Sequence, residues 1–209
     1  MGDKAESRKR WDNIAPGYGS DFLDRMEERL LLARWRGRLL TQASGKVLEL
    51  ATGTGINLPF YPRSCQIIAT DLSQGMIDMA RKDAKAIGRT VDFYTMDAEA
   101  LGFPDGSFDT IVDCNSLCVF PNPIAALREM ARVCRIDGRI LLLEHGRSHH
   151  KWVTRLQDWD VQAKIISNCQ WNRSYEDLIR QAGLSIVSIE RHILGVYYLI
   201  EAKPPRPEA

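Results

Sequence analysis

Apolar and polar positions along this chain of 209 residues follow two rhythms in turn. Short apolar runs at Val47–Ala51, Gln66–Thr70, Val91–Tyr94, Thr110–Asp113 and Arg139–Leu143 read as strands. Helical spacing falls between them, most clearly over Gln74–Ile87 and Pro123–Val133. Ser73 suits the N-cap of the first of these helices and Gly88 its stop. Strand and helix in alternation predict a parallel sheet with right-handed crossovers. Upstream, Phe22, Leu23, Met26, Leu30 and Leu39 predict a helix over Asp21–Leu40, broken by "ASGK" before the first strand. After Leu143 the rhythm changes to a long, aromatic, partly helical stretch. A helix over Tyr175–Ala182, stopped by Gly183, follows. Two β-rich runs, Ser185–His192 and Val196–Ala202, are joined around Gly195 and predict an antiparallel hairpin at the sheet edge.

The expected class is therefore α/β: a Rossmann-like, doubly wound sheet, mainly parallel, closed by an antiparallel hairpin. Its expected organisation is an N-terminal helical lid or substrate segment over 1–42, a core over 43–203 and a tail over 204–209. A substrate-side helical insert is expected within the core at about 145–173.

Composition narrows the partners. Lys and Arg total 28 against 27 for Asp and Glu, so no global field favours nucleic acid. No apolar run approaches the roughly 20 residues that cross a bilayer, and the polar start "MGDKAESRKRW" does not read as a signal peptide. Five cysteines without close metal-ligand spacing predict reduced thiols in a cytosol-like compartment. Cys114 and Cys118, the nearest pair, read as buried packing. The basic residues Arg8, Lys9, Arg10, Arg34, Arg36 and Arg38 read as solvated helix faces, with peripheral contact to anionic lipid headgroups as the alternative.

The chemistry gathers at strand ends. "VLELATGTGIN" is a strand running into a glycine loop, but it lacks the third glycine of G-x-G-x-x-G that holds a pyrophosphate. Gly53 and Gly55 let a ligand approach the backbone without Cβ atoms in the way. Asp71 ends the next strand, 22 residues after Glu49, where a carboxylate can accept hydrogen bonds from both ribose hydroxyls of a nucleoside. Met96, Asp97 and Ala98 follow the third strand, where Met96 can pack on a base and Asp97 can accept from its exocyclic amine.

These stretches, "VLELATGTG", "IIATDLS", "MDAEALGFPDGSFDTIV" and "EMARVCRIDGRILLLE", resemble the class I S-adenosylmethionine-dependent methyltransferases over Val47–Glu144. The branch they resemble is the ubiquinone/menaquinone-methyltransferase-like one. Ala51 stands for the first glycine of that family's E/D-x-G-x-G-x-G motif, at its least demanding position, and Asp137 for a proline further on. The resemblance implies the seven-stranded methyltransferase fold and S-adenosylmethionine as cofactor. Glu49, Gly53 and Gly55 would face its amino acid end and Asp71 its ribose. Met76 and Met96 would flank adenine, and Asp97 would reach its amine. Ala51, Asn57, Leu72 and Ala98 complete the implied cofactor set, and Asn115 lies near where the methyl should point. "RWDNIAPGYGSDF" resembles the lid segment of that branch, with Tyr18 closing over the methionine end.

The methyl acceptor stays open among a thiol, a phospholipid amine and a quinol precursor. "EHG", a Trp-rich helix and "NCQWNR" look similar to a branch acting on small thiols, while "RWDNIAPGY" approximates the opening of bacterial phospholipid N-methyltransferases. His145, directly after the fifth strand, is either the general base or a satisfied polar residue at a strand end. Trp152, Trp159 and Trp171 either line an acceptor cavity or pack the insert onto the sheet. His149 and His150 read as solvated, and no metal site is expected. A non-catalytic, cofactor-binding regulator of the same fold is the rival function.

Overall fold

The computed structural model describes residues 4–17, 32–163 and 169–205. Seven strands form one sheet: β1 (Lys46–Leu50), β2 (Gln66–Asp71), β3 (Val91–Thr95), β4 (Phe108–Cys114), β5 (Cys134–His145), β6 (Ser185–His192) and β7 (Tyr197–Lys203). Their order is β3-β2-β1-β4-β5-β7-β6. Neighbours from β3 to β5 pair in parallel, while β7 runs antiparallel to both β5 and β6. The chain thus reverses strand order at β1 and β4, the switch point outside which α/β sheets bind ligands.

Six helices are described: α1 (Lys4–Ile14), α2 (Ala33–Leu40), α3 (Gln74–Ala86), α4 (Pro123–Val133), α5 (Lys151–Ala163) and α6 (Tyr175–Gln181). Central strands are buried on both faces, so their side chains feed two cores by alternation. Leu48, Leu50, Ile111, Ile140 and Leu142 pack with Leu127 and Met130 of α4 and Tyr175 and Ile179 of α6. Val47, Ala69, Val112, Leu141 and Leu143 pack on the other face with Leu39 and Leu40 of α2 and Ala84 of α3. Helices on both faces make the sheet doubly wound, as the pattern predicts.

Ser73 caps α3, its hydroxyl accepting from the Met76 amide at 3.1 Å. The predicted helix over Asp21–Leu40 is present as α2 over its last turns, the rest lying outside the described residues. Helix α1 was not legible in the pattern, because no residue of it is buried and it has no apolar stripe. It is held by polar contacts: the Asp12 carboxylate accepts from the Ser73 hydroxyl at 2.5 Å and the Gly75 amide at 3.1 Å, at the start of α3.

Candidate active site

A cavity of about 1070 Å³ opens along the carboxyl ends of β3, β2, β1, β4 and β5. Four strand spacings span roughly 19 Å at about 4.8 Å each, room for an extended ligand of nucleoside plus amino acid size. Ala51, Gly53, Asn57, Asp71, Leu72, Met76, Met96, Asp97, Ala98, Asn115 and His145 all line this cavity, as does Trp171. Tyr18 lies outside the described residues.

The glycine loop is built differently from expectation at two positions, Ala51 and Gly55. Ala51 takes φ 45°, in the left-handed region where a Cβ costs about 1 kcal/mol. The first glycine position is therefore demanding, and alanine sits there under backbone strain. Gly53 has φ +56° and a Cβ there would meet nothing within 4 Å, so the backbone borders open cavity. Gly55 does not line the cavity. A Cβ there would meet Leu58 at 3.0 Å and the Ala80 backbone at 3.2 Å, so this glycine lets the loop pack against α3.

Glu49 is fully buried under the loop and does not line the cavity. Its Oε1 accepts from the Thr52 hydroxyl at 2.9 Å and Asn57 Nδ2 at 3.0 Å. Asn57 Oδ1 in turn accepts from Arg36 Nη1 at 2.5 Å. Burial pushes the Glu49 carboxyl up, and its hydrogen bonds and the Arg36 charge oppose that rise. Glu49 therefore ties the loop to its own strand rather than facing a ligand.

Asp71 ends β2 and lines the cavity. Its two oxygens accept from the Gly53 and Ser73 amides, both at 2.9 Å, leaving a lone pair on each for a ligand diol. Burial raises its pKa and those amides oppose the rise. Further along, Asp97 and Glu99 both pair with Lys4 of α1, at 2.6 and 2.9 Å. Arg8 donates to the Leu72 carbonyl at 3.2 Å, so α1 roofs the β2–β3 end of the cavity through charges that a hydrophobic pattern does not reveal.

The basic N-terminal residues divide. Arg36 is only 3% exposed, which corrects its reading as part of a solvated face. It is buried because α2 turns it toward the glycine loop. Arg34 and Arg38 are exposed, and Arg38 pairs with Glu190 at 2.6 Å.

At the opposite end, Asn115 takes φ 55° after β4 and aims Oδ1 at His145 Nδ1, 3.3 Å away. His145 Nε2 lies 2.9 Å from Cys169 Sγ. Both ring nitrogens are engaged, so His145 meets an acceptor as one member of a group. Cys118, read as buried packing, is the third member: its Sγ, the Cys169 Sγ and a His145 ring nitrogen all lie within 4.8 Å of one another. All three residues line the cavity. The Cys118 thiol, donating to the Cys169 sulfur, holds Cys169 down at about 5, with His145 and Arg173 adding and burial opposing. Cys118 is pushed up by that same bond and by burial.

Trp152 and Trp159 are 57% and 60% exposed and do not line the cavity. Helix α5 buries Val153, Gln157 and Asp160, spaced four and three apart, so the two tryptophans face outward. Trp171 does line it, its indole donating to Asp160 at 2.8 Å.

Beneath this end sits a buried carboxyl pair. Glu144 Oε1 accepts from the Ser116 amide at 3.1 Å and Oε2 from the Tyr175 hydroxyl at 3.1 Å. Burial, then the neighbouring Asp113 charge, raise Glu144 well above its ordinary 4.5. A raised folded value means stability fully present below 4.5 and lost as pH rises through the folded pKa. Glu144→Gln cannot ionise and escapes that loss. Melting measured from about pH 5 to 8 should show the variant gaining on the wild type as pH rises, by on the order of 1 kcal/mol for each unit of upward shift. A constant difference across that range would remove the assignment.

A doubly wound sheet with a single antiparallel strand, a glycine loop after β1 and an acid after β2 defines the class I methyltransferase fold. The solved structure of the [4+2]-cyclase SpnF superposes with a TM-score of 0.76 over 98% of this chain and 97% of that one, at 17% identity. Residues 48–142 match the methyltransferase domain family model. The chain is 36% identical over 141 residues to demethylmenaquinone methyltransferase of Thermus thermophilus, covering 64% of this chain and 63% of that protein. It is 38% identical over 103 residues to phosphatidylethanolamine N-methyltransferase of Cereibacter sphaeroides, covering 48% and 51%. The chain thus spans between 42% and 65% of the length of curated relatives it matches. The chain carries a methyltransferase domain over residues 48–142 on the class I methyltransferase fold, similar in sequence to ubiquinone/menaquinone-type methyltransferases.

Sequence reading missed the site contacts of Lys4, Asp12, Arg36 and Cys169. Their signal is distance in the fold, which no local spacing carries.

Proposed function

We propose that this chain transfers a methyl group from S-adenosylmethionine to a small-molecule or lipid-like acceptor bearing a thiol, a phospholipid amine or a quinol-type ring. The observation that carries the reading is the paired character of one continuous cavity. Asp71 with spare lone pairs and the open backbone at Gly53 lie on one side, and the polar group Asn115, His145, Cys118 and Cys169 on the other.

The donor fits these residues. Asp71 would hold the ribose hydroxyls, Met76, Met96 and Leu72 the base faces, and Asp97 its amine, while Ala51, Gly53 and Asn57 would border the amino acid end. The cofactor supplies a sulfonium-activated methyl group when bound. What the chain must do is align the acceptor and exclude water. Helix α1, docked through Asp12 and Lys4, covers the base end. Where the acceptor carries a proton, the His145–Cys169 pair is placed to take it. Val119, Phe120, Trp171, Val196 and Tyr197 give that end an apolar wall for the rest of the acceptor.

Support for the acceptor classes comes from the relatives, whose names give a menaquinone precursor and phosphatidylethanolamine as substrates. Among the described residues, no helix is long and apolar enough to cross a membrane. A lipid acceptor would therefore be met by this part of the chain at a surface. The test is release of S-adenosylhomocysteine on incubation with alkyl and aryl thiols, phosphatidylethanolamine vesicles, demethylated quinols and small phenols. Turnover with one class above the others is expected. Tight S-adenosylhomocysteine binding with no turnover on any of them would favour the non-catalytic regulator. NAD binding in place of S-adenosylhomocysteine would overturn the reading entirely.

A further inference from the structure

Three side chains from three separate loops meet at the acceptor end of the cavity: Cys118 after β4, His145 at the end of β5, and Cys169 between α5 and α6. We propose that Cys118 Sγ, His145 Nε2 and Cys169 Sγ form a binding site for a zinc-class divalent cation, with a fourth coordination position open to the cavity.

The donor set selects the metal. Two sulfurs and an imidazole suit zinc and other soft or borderline ions, and a set without oxygen does not suit magnesium or calcium. The geometry is close to what such an ion needs. With Zn–S near 2.3 Å and Zn–N near 2.0 Å, ligand atoms of a tetrahedral site lie roughly 3.5–3.8 Å apart. The three donor atoms already sit within 4.8 Å of one another, and the 2.9 Å contact of His145 with Cys169 needs to open by a fraction of an ångström. Two thiolates balance a doubly charged ion, which suits a site whose members are buried or half-buried.

The surroundings are arranged as ligand supports usually are. Asn115 Oδ1 faces His145 Nδ1 at 3.3 Å, so an Nδ1–H donated to that oxygen would leave Nε2 as the metal-ligand atom. The left-handed backbone of Asn115 is the strained turn that brings this amide there. The Gln170 amide donates to the Cys118 carbonyl at 3.1 Å, joining the two cysteine loops. Arg173 clamps the same loops by donating to the Leu117 and Phe120 carbonyls. The clamps place both cysteines without using their sulfurs.

Three protein ligands with a fourth position facing a cavity is the arrangement of reactive rather than structural zinc. The fourth position would take water or the nucleophilic atom of the acceptor, and that acceptor role rests on the methyl-transfer reading. Cation binding itself does not. A sulfur that is still a thiol gives up its proton to solvent on becoming a ligand, so uptake releases a proton from Cys118.

The test uses the full chain, reduced, stripped with chelator and titrated with Zn(II) against a chromophoric competitor. Calorimetry with S-adenosylhomocysteine runs in parallel. One zinc per chain is expected, taken up stoichiometrically at micromolar protein with proton release. Cys118→Ser and Cys169→Ser should each weaken zinc at least 100-fold while leaving S-adenosylhomocysteine affinity within about threefold. Cobalt substitution should give a thiolate-to-metal absorption band that weakens in each variant. No zinc uptake by the reduced wild type, uptake unchanged in both variants, or a Cys118–Cys169 disulfide that forms with no metal uptake after reduction would each overturn the site. Failure of S-adenosylhomocysteine to bind would instead strike the methyltransferase reading, so the two failures are distinct.

Discussion

Arg36→Met should lower stability by about 3 kcal/mol, the upper range for stripping a buried polar group of its charged hydrogen-bond donor. Arg36 is almost wholly buried and donates to Asn57 at 2.5 Å, while Asn57 donates to Glu49. Methionine fills similar volume but leaves the Asn57 carbonyl without its donor. It also takes away the positive charge that offsets the buried Glu49 carboxylate. For a domain of this size the loss corresponds to a fall in Tm of roughly 6–12 °C. Because Asn57 anchors the glycine loop, S-adenosylhomocysteine affinity should fall as well. Arg38→Met is the matched control, two residues along the same helix. It breaks only the exposed pair with Glu190 and should cost under about 1 kcal/mol. Equal melting losses in the two variants would mean the buried network does not hold the loop.

Asp71→Ala should weaken S-adenosylhomocysteine at least tenfold, about 1.4 kcal/mol, in calorimetry. Two effects add. The variant loses the acceptor for the ribose hydroxyls, and it leaves the Gly53 and Ser73 amides without the carboxylate that orders them. Asp71→Asn separates the two, since its amide oxygen still accepts one bond while the charge is gone. Affinity should lie between wild type and alanine. An unchanged affinity in Asp71→Ala would sink the ribose assignment, and a change confined to melting temperature would make Asp71 a loop anchor only.

Much of the fold was legible because its determinants are local. Strands buried on both faces read as continuous apolar runs, and Ser73 and Gly88 mark the ends of α3 by side-chain and backbone rules that act over three or four residues. The Val196–Ala202 run appears as β7, shifted by one residue and inserted between β5 and the outer strand β6. The placing of Gly53, Asp71, Met96 and Asp97 on the cavity wall was legible for the same reason, since each lies at or just past a strand end. Glu49 and Gly55 were expected to face a ligand, and neither lines the cavity. Whether a loop residue faces outward or inward depends on what packs beneath it, here Asn57 and α3.

The acceptor side was legible only in fragments. Trp152 and Trp159 carry a strong composition signal, but the face of α5 that packs inward is chosen by Val153, Gln157 and Asp160. Cys118 and Cys169 are unremarkable in sequence and meet at His145 only because three loops converge at one sheet edge.

By itself the sequence determined the alternation of strand and helix, the doubly wound sheet and the strand-end residues that line the β2–β3 end of the cavity. Those features rest on periodicity and on residues at strand ends, interactions short in chain distance. The tertiary structure alone decided that Arg36 is buried, that α1 is docked by Asp12 and Lys4, and that two thiols and an imidazole share one site. Each of these is a polar contact between distant segments, made by a few atoms whose meeting no local pattern encodes.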